Sequence, residues 1–447
     1  MTSAEDQARL KAIEVALETR WPETAIEPTL ERIAALVDIL GSPQLSYPTI
    51  HIAGTNGKTS TARMIDSLLF NIGMRTGRYT SPHLESFLER ISINGLPIDS
   101  KDFIFAYNDI ALYLDLMDTK FETPISYFEA MTALAFVAFA EFPVDIGVIE
   151  AGMGGEWDAT NVVEAAVSVI TPIGFDHMAY LGNTLTEIAR TKSGIIKEGS
   201  NVVLAQQQPE VATELMRRVA QVGANVAREG VEFSLTSRNV AVGGQLLTVK
   251  GLGGVYEDIF LPLHGKHQGE NAATALVAVE SFFGGQELDQ EAVRTGFAQV
   301  ASPGRCEVVH RDPTIILDAA HNPHGAKALA QTLENEFTFD EIIGVVGVFA
   351  DKEVEEILRE LEPIVNTLIV TESISPRALP VEDLARIAMK IFEPDRVIIE
   401  PRLQKAITSA ISAAKSAENN ESVGIVITGS VTTVGQSRAI IKGIENE

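Results

Sequence analysis

The chain of 447 residues carries one cysteine, Cys306. A lone thiol excludes an internal disulfide and any metal site built from several cysteines, and it fits a reducing compartment. Basic residues are scarce beside acidic ones, 35 against 61, for a formal net charge of −26. A field of that sign repels polyanions, so partnership with nucleic acid or an anionic membrane is not expected, and any phosphate ligand must be held locally by a few cations and backbone amides. The acidity itself reads as a solvated surface. Long apolar runs are also missing. The most apolar helical segment, Phe128 to Phe142, is shorter than the ~20 residues of a membrane crossing and contains Glu129 and Glu141, so it is predicted to be a buried helix. The N-terminal stretch MTSAEDQARLKAIEVALETR is polar, with no apolar core behind a basic segment, so secretion is not expected and the predicted location is cytoplasmic. No internal repeat, low-complexity tract or long run of one charge stands out.

What is present is a chain with 45% hydrophobic and 21% charged residues, long enough for two or three cores. Leu30 to Leu40 has the spacing of an amphipathic helix. Tyr47 to Ala53, Val144 to Glu150, Ala166 to Thr171 and Val202 to Ala205 are near-continuous apolar runs separated by helical stretches, the pattern of a parallel sheet covered on both faces. Residues 225 to 265 alternate in short runs and predict antiparallel strands. A change of composition at ASPGR places a domain boundary near 300, giving domains 1–300 and 301–447. Beyond it, Thr314 to Asp318, Ile342 to Val348, Thr367 to Thr371, Arg396 to Glu400 and Gly424 to Thr428 are strand candidates. Helical stretches Val354 to Leu361, Val381 to Phe392 and Leu403 to Ala417 alternate with them. The predicted class is α/β: a parallel-sheet domain opening on a phosphate loop, then a smaller Rossmann-like α/β domain.

That loop is AGTNGKTS, set between the first apolar run and a helix on which Met64, Ile65, Leu68 and Leu69 recur. Backbone amides in a Gly-bearing turn that opens a helix form an anion nest, strengthened by the helix dipole. Gly54, Asn56, Gly57, Lys58, Thr59 and Ser60 supply it. Lys58 reaches the β/γ-phosphates as a point charge, and a Thr59 or Ser60 hydroxyl sits near phosphate or Mg²⁺. The strict GxxxxGK[ST] spacing is not met, since Ile52 stands where the first glycine belongs.

The wording AGTNGKTS resembles the nucleotide loop of the Mur ligase superfamily. Further segments narrow it: TSPHL (80–84), SYFEAMT (126–132), EAGMGGEWDATN (150–161), GFDH (174–177), KSGIIK (192–197), HGKHQGENA (264–272), PGRCE (303–307), LDAAHNP (317–323), ADK (350–352), SPRA (375–378) and TGS (428–430). In that order they resemble the folylpolyglutamate synthase/dihydrofolate synthase family from about residue 47 onward.

The resemblance implies an ATP-dependent ligase that phosphorylates the carboxylate of a dihydropteroate or reduced folate and joins it to L-glutamate. It implies Mg²⁺, in two sites, with Ser81, Glu150 and His177 as anchors. Glu150 also ends an apolar run, which sets it at the carboxyl edge of the sheet. Taken alone, Ser81 reads as a cap before Pro82 and His177 as a loop histidine. Lys192 matches the family's carbamylated lysine, whose new carboxylate helps organise the second Mg²⁺, although Thr191 stands where the family commonly has glutamate. Asn271, Arg305 and Asp318 match ATP contacts drawn from both domains, and His321 shares the loop of Asp318 near the reacting centre. Ser126, Tyr127, Phe128 and Glu129, with Trp157, Asp158 and Ala159, match pterin contacts; an aromatic ring stacks on the bicycle while polar groups read its edge. Tyr127 and Phe128 read equally as core residues at a helix start, and Trp157 replaces a smaller aliphatic residue common in the family.

Two other readings use the same residues. A Mur ligase acting on a peptidoglycan precursor is disfavoured by SYFEAMT and GMGGEWDATN, and a nucleotide-switched binding protein by the presence of Glu150, His177, Lys192 and Arg305 together. A monomer is the expected state.

Overall fold

A computed structural model describes residues 4–22, 25, 27–417 and 422–445. Strands β1 (Thr49–Ala53), β2 (Thr76–Tyr79), β3 (Ile91–Ile93), β4 (Leu96–Pro97), β5 (Ile146–Glu150), β6 (Val167–Ile170), β7 (Asn201–Leu204) and β8 (Asn225–Arg228) form one sheet, ordered β4-β3-β2-β5-β1-β6-β7-β8. All neighbours pair in parallel except β3 with β2 and β4 with β3 at one edge. Every residue of β1, β2, β5 and β6 is buried, which is why β1, β5 and β6 read as apolar runs rather than alternating patterns. The chain leaves β1 toward β2 on one side and leaves β6 toward β7 on the other. The carboxyl ends of these two adjacent strands therefore border the crevice that doubly wound sheets leave for ligands.

Asn225–Arg228 departs from the sequence expectation. It does not join an antiparallel set but extends the main sheet, parallel to β7. The helix Pro209–Val222, closed by left-handed Gly223, carries the chain back over the sheet, and a strand-helix-strand unit returns in parallel. The antiparallel set is shorter: β9 (Ser234–Ala241), β10 (Gly244–Lys250) and β11 (Val255–Leu261), ordered β11-β10-β9, with connections too short for any crossover.

The apolar helix spans Tyr127–Glu141 and is buried from Glu129 through Phe139. Ser126 caps it in a reciprocal box with Glu129, satisfying amides that a helix start leaves unpaired. The helix lies against β2 closely enough that a Cβ at Gly77 would sit 2.6 Å from the Phe139 ring. Among the described residues, no helix is long and apolar enough to cross a membrane.

The remaining strands, β12 (Glu307–Arg311), β13 (Thr314–Leu317), β14 (Glu341–Val346), β15 (Thr367–Glu372), β16 (Val397–Arg402) and β17 (Val423–Thr428), form a second sheet ordered β12-β13-β17-β14-β15-β16. It is parallel except for β12, which folds back on β13 through a tight turn at Pro313. Helices Pro323–Glu336, Val354–Leu361, Val381–Ala388 and Leu403–Ser416 alternate with its strands. Contacts divide the chain into one unit of Met1–Asn239, Leu246–Leu261 and Gly269–Val300, and another of Val240–Gln245, Pro262–Gln268 and Ala301–Glu447.

One buried acid anchors the helix Lys266–Phe282 to the β10–β11 connection. Glu280 accepts the Leu252 amide at 2.6 Å, the Gly253 amide at 3.0 Å and the Tyr256 hydroxyl at 2.8 Å. The Tyr256 oxygen in turn accepts the Leu288 amide at 2.7 Å. Burial raises the pKa of Glu280 and the donors oppose it. Glu280→Ala strands three donors in a dry site and is expected to cost about 3 kcal/mol, read as the urea midpoint of the full chain; a loss under about 0.5 kcal/mol would show that the acid is dispensable.

Candidate active site

The AGTNGKTS loop joins β1 to the helix Lys58–Asn71, with left-handed Gly57 as the cap. A second loop, following β6, supports it from below: the Thr55 and Asn56 amides donate to Pro172 O, and the Thr55 hydroxyl bonds both the amide and the carbonyl of Gly174. Lys58 Nζ donates to Gly54 O at 3.1 Å and Thr55 O at 3.3 Å, folded back over its own loop. Asn271, on the helix Lys266–Phe282, abuts the loop: a Cβ at Gly57 would sit 2.5 Å from its Oδ1. Gly54 is tighter still, since a Cβ there would collide with Thr171.

Adjacent strands β2, β5, β1 and β6 bring four predicted features to one edge of the sheet: Ser81 just past β2, Glu150 at the end of β5, the phosphate loop after β1, and His177 in the loop after β6. Neighbouring strands lie roughly 4.8 Å apart, so these features share a single crevice rim. Glu150 is buried, and the Thr59 hydroxyl reaches its two oxygens at 2.9 and 3.0 Å. Among the described residues no cluster of three His, Cys, Asp or Glu could hold a metal. What is present instead is a buried carboxylate with hydroxyls beside a phosphate nest. That hard, sparse oxygen set fits Mg²⁺, which retains several waters and needs only one or two protein anchors. His177 is left-handed, with its amide on Asp176 Oδ1 at 2.9 Å and its Nε2 3.7 Å from Asp176 Oδ2.

Lys192 ends the helix Leu185–Lys192, buried, with Nζ donating to Gly54 O at 2.8 Å. It shares that acceptor with Lys58. Burial first, then the Lys58 charge, lowers the Lys192 amine from its usual 10.5 to about 7, while Asp176 and Asp158 oppose the shift. Near neutrality a large fraction of the amine is therefore unprotonated and nucleophilic.

The predicted substrate residues fall into two groups. On the helix Tyr127–Glu141, the carboxylate of Glu129 is spent internally, accepting the Ser126 amide at 2.8 Å and Arg32 Nε at 3.1 and 3.2 Å. Glu129 thus fixes the helix start. Tyr127 carries the Arg90 guanidinium 4.9 Å from its ring centre. Phe128 lies against bare backbone, where a Cβ at Gly152 would be 2.5 Å from its Cζ, with Tyr79 at 6.0 Å between centroids. The second group occupies the loop 151–163. Asp158 and Ala159 are buried, and Trp157 packs beside the cluster of Leu181, Leu185 and Ile188. This loop presses on the Lys192 segment backbone to backbone: the Glu156 amide donates to Thr191 O at 2.8 Å, and a Cβ at Gly155 would lie 2.6 Å from Lys192 O.

The second unit holds Arg305, Asp318 and His321 about the carboxyl end of β13. Asp318 accepts the Cys306 amide at 2.7 Å and the Ala320 amide at 2.8 Å; burial raises its pKa and the Arg305 charge opposes this. His321 Nδ1 lies 2.9 Å from Ala319 O, and since a carbonyl only accepts, Nδ1 carries the proton of that hydrogen bond.

Several residues escape a sequence reading. Arg90 is buried and donates from Nε to His83 Nδ1 at 3.0 Å, so one guanidinium ties the Ser81 loop to Tyr127. Arg32 reaches Glu129 from the distant helix Glu31–Ile39. Neither has a local signature, because a buried arginine is specified by partners far away in sequence. Asp176, beside Lys192 in charge, was within reach: it stands in the GFDH segment next to His177.

Comparison with known proteins follows this geometry. Residues 52–279 match the Mur ligase middle domain and residues 304–431 the Mur ligase glutamate ligase domain. A dihydrofolate synthase/folylpolyglutamate synthase from Mycobacterium tuberculosis is 50% identical over 457 residues, covering 97% of this chain and 94% of the relative. The solved Mycobacterium tuberculosis folylpolyglutamate synthase complexed with ADP superposes with a TM-score of 0.94 at 50% identity, covering 97% of this chain and 98% of the other. Escherichia coli FolC in complex with DHPP and ADP gives a TM-score of 0.85 at 28% identity, covering 98% of each chain.

The loop geometry makes a direct prediction. Gly54→Ala forces a methyl group into Thr171 and displaces the carbonyl shared by Lys58 and Lys192. Titration with a fluorescent ATP analogue should show at least a roughly tenfold loss of affinity, since a charged-group hydrogen bond is worth about 1.5–3 kcal/mol; wild-type affinity would mean that the loop does not hold the nucleotide.

Proposed function

The chain belongs to the dihydrofolate synthase/folylpolyglutamate synthase family of Mur ligases, and we propose that it is an ATP-dependent ligase forming an amide between a pteroate or folate carboxylate and L-glutamate. The observation that carries this reading is the delivery of Ser81, Glu150, the phosphate loop and His177 to one sheet edge by four neighbouring strands. The ADP of the solved relatives fits the phosphate loop, and the DHPP of the Escherichia coli relative fits a pterin-type substrate.

A carboxylate is a poor electrophile, so a substrate oxygen first takes the γ-phosphoryl group of ATP and ADP departs. The glutamate amine then adds to the acyl carbon, phosphate leaves with the carboxyl oxygen, and the amine proton passes to solvent. The protein's part in such a reaction is positioning and charge neutralisation. Amides of Gly57 to Ser60 and the Lys58 ammonium hold the β/γ-phosphates, with Asn271, Arg305 and Asp318 as further ATP contacts. Bound Mg²⁺ would offset the charge of the transferring group, held by Glu150, Ser81 and His177, with a second ion beside a carbamate on Lys192. Tyr127 and Phe128 supply stacking surface and Trp157, Asp158 and Ala159 the facing wall for the pterin, while Ser126 and Glu129 fix the helix that presents the rings. His321 is taken as a further catalytic residue. We take 1–300 and 301–447 as the two domains, and a monomer in the cytoplasm as the working form; the buried lone thiol of Cys306 suits a reducing compartment.

ADP release tests the reading. Turnover is expected only when glutamate is present with dihydropteroate or with tetrahydrofolate, and mass analysis of the two reactions should show one or more added glutamates; slow hydrolysis indifferent to the pterin would instead indicate a nucleotide switch. Carbamylation makes a separate prediction. The lowered Lys192 amine attacks carbon dioxide in its neutral form, so at constant dissolved carbon dioxide the reactivation of bicarbonate-depleted enzyme should speed up as pH rises through about 7. Lys192→Ala should lose most activity with no rescue by bicarbonate. Full activity of the wild type in rigorously depleted buffer would remove the carbamate.

A further inference from the structure

Beneath the loop 151–163, three buried side chains connect β1 to Asp158. His51 is fully buried, and burial lowers its imidazole to about 3, so the ring is neutral. Its Nε2 lies 2.8 Å from Thr160 Oγ1, which lies 2.5 Å from Asp158 Oδ1. Asp158 Oδ1 also accepts the Thr160 amide at 3.0 Å, and Oδ2 accepts the Met153 amide at 2.8 Å. Burial raises the pKa of Asp158 and the hydrogen bonds from Thr160 and Met153 oppose it, and the form that satisfies all these donors is the ionised carboxylate. The Thr160 proton is then committed to Asp158, and the Thr160 oxygen receives the proton on His51 Nε2. The other histidine tautomer would set a nitrogen lone pair against an oxygen with no proton left to give.

Two consequences stand out. A carboxylate offers about four lone-pair positions, and three are taken, so one on Oδ2 is left uncommitted. The fixed tautomer leaves His51 Nδ1 as a buried lone pair with no partner. An unpaired buried polar atom costs stability, and an apolar residue like the flanking Ile50 and Ile52 would pack this strand without that cost. The histidine is therefore explained by what its other nitrogen does.

We propose that His51 and Thr160 are positioning residues that lock Asp158 so that the remaining lone pair of Oδ2 is presented to an N–H on the edge of the heterocyclic substrate. The relay rests on the reading of Asp158 as a substrate contact. Loss of a positioning donor weakens binding without touching the reacting atoms, so it appears in KM for the pterin and not in kcat.

Steady-state kinetics on Thr160→Val, Thr160→Ser and Asp158→Asn, each with a thermal melt, test the relay. Thr160→Val keeps the shape and removes the hydroxyl. It should raise KM for dihydropteroate roughly tenfold with kcat and KM for ATP within about twofold, while Thr160→Ser stays near wild type. If Thr160→Val does not fold, His51→Met and His51→Gln give the same comparison, since glutamine keeps a donor near the Nε2 position and methionine does not. A wild-type KM in Thr160→Val, or equal KM values in the two His51 variants, against a raised KM in Asp158→Asn overturns the relay alone. An unchanged KM in Asp158→Asn overturns the relay together with the placement of Asp158, and leaves the ligase reading to be judged by ADP release.

Discussion

Two amines, those of Lys58 and Lys192, meet at the carbonyl oxygen of Gly54. Burial first, and then the neighbouring Lys58 charge, takes much of the protonation from Lys192, while Lys58 lies folded on the loop whose anion it would neutralise. The surrounding geometry serves that meeting. Gly54 must lack a side chain because Thr171 fills the space, and the loop after β6 braces the turn from the other side. Two amines are thereby gathered on a single backbone oxygen.

The sheet does the remaining placement. Parallel strands end at the same edge, so residues from four separated segments arrive together without any long-range recognition among themselves. Buried arginines then set the angles. Arg32, paired with Glu129, and Arg90, hydrogen-bonded to His83 and lying over Tyr127, hold the helix Tyr127–Glu141 and the Ser81 loop to their surroundings. Such pairs specify a geometry more than they stabilise it, because desolvation offsets most of their attraction.

Legibility in the sequence followed burial pattern. Strands β1, β5, β6, β13, β14 and β17 are readable because they are largely buried and their residues are mostly apolar. The edge hairpin β3–β4 was not, being only three and two residues long, partly exposed and without periodicity. Asn225–Arg228 was misassigned because its direction is decided by the crossover helix before it rather than by its own residues. In the site, the phosphate loop and Glu150 could be read from local chemistry, since a glycine turn after a strand and an acid at a strand end state their own positions. Ser81, His177 and Lys192 were legible only through family resemblance. His51 was invisible, because a histidine inside an apolar strand carries no mark of the threonine it meets, more than a hundred residues away.

The glycines at 155 and 194 let the loop 151–163 and the Lys192 segment touch main chain to main chain; a Cβ at Gly194 would collide with Glu156. A wall of side chains can be repacked one residue at a time, but two abutting backbones shift only as a pair. Substitutions that reshape the loop at Trp157 will therefore alter the setting of the lysine as well, and substitutions made separately in the two segments will combine non-additively.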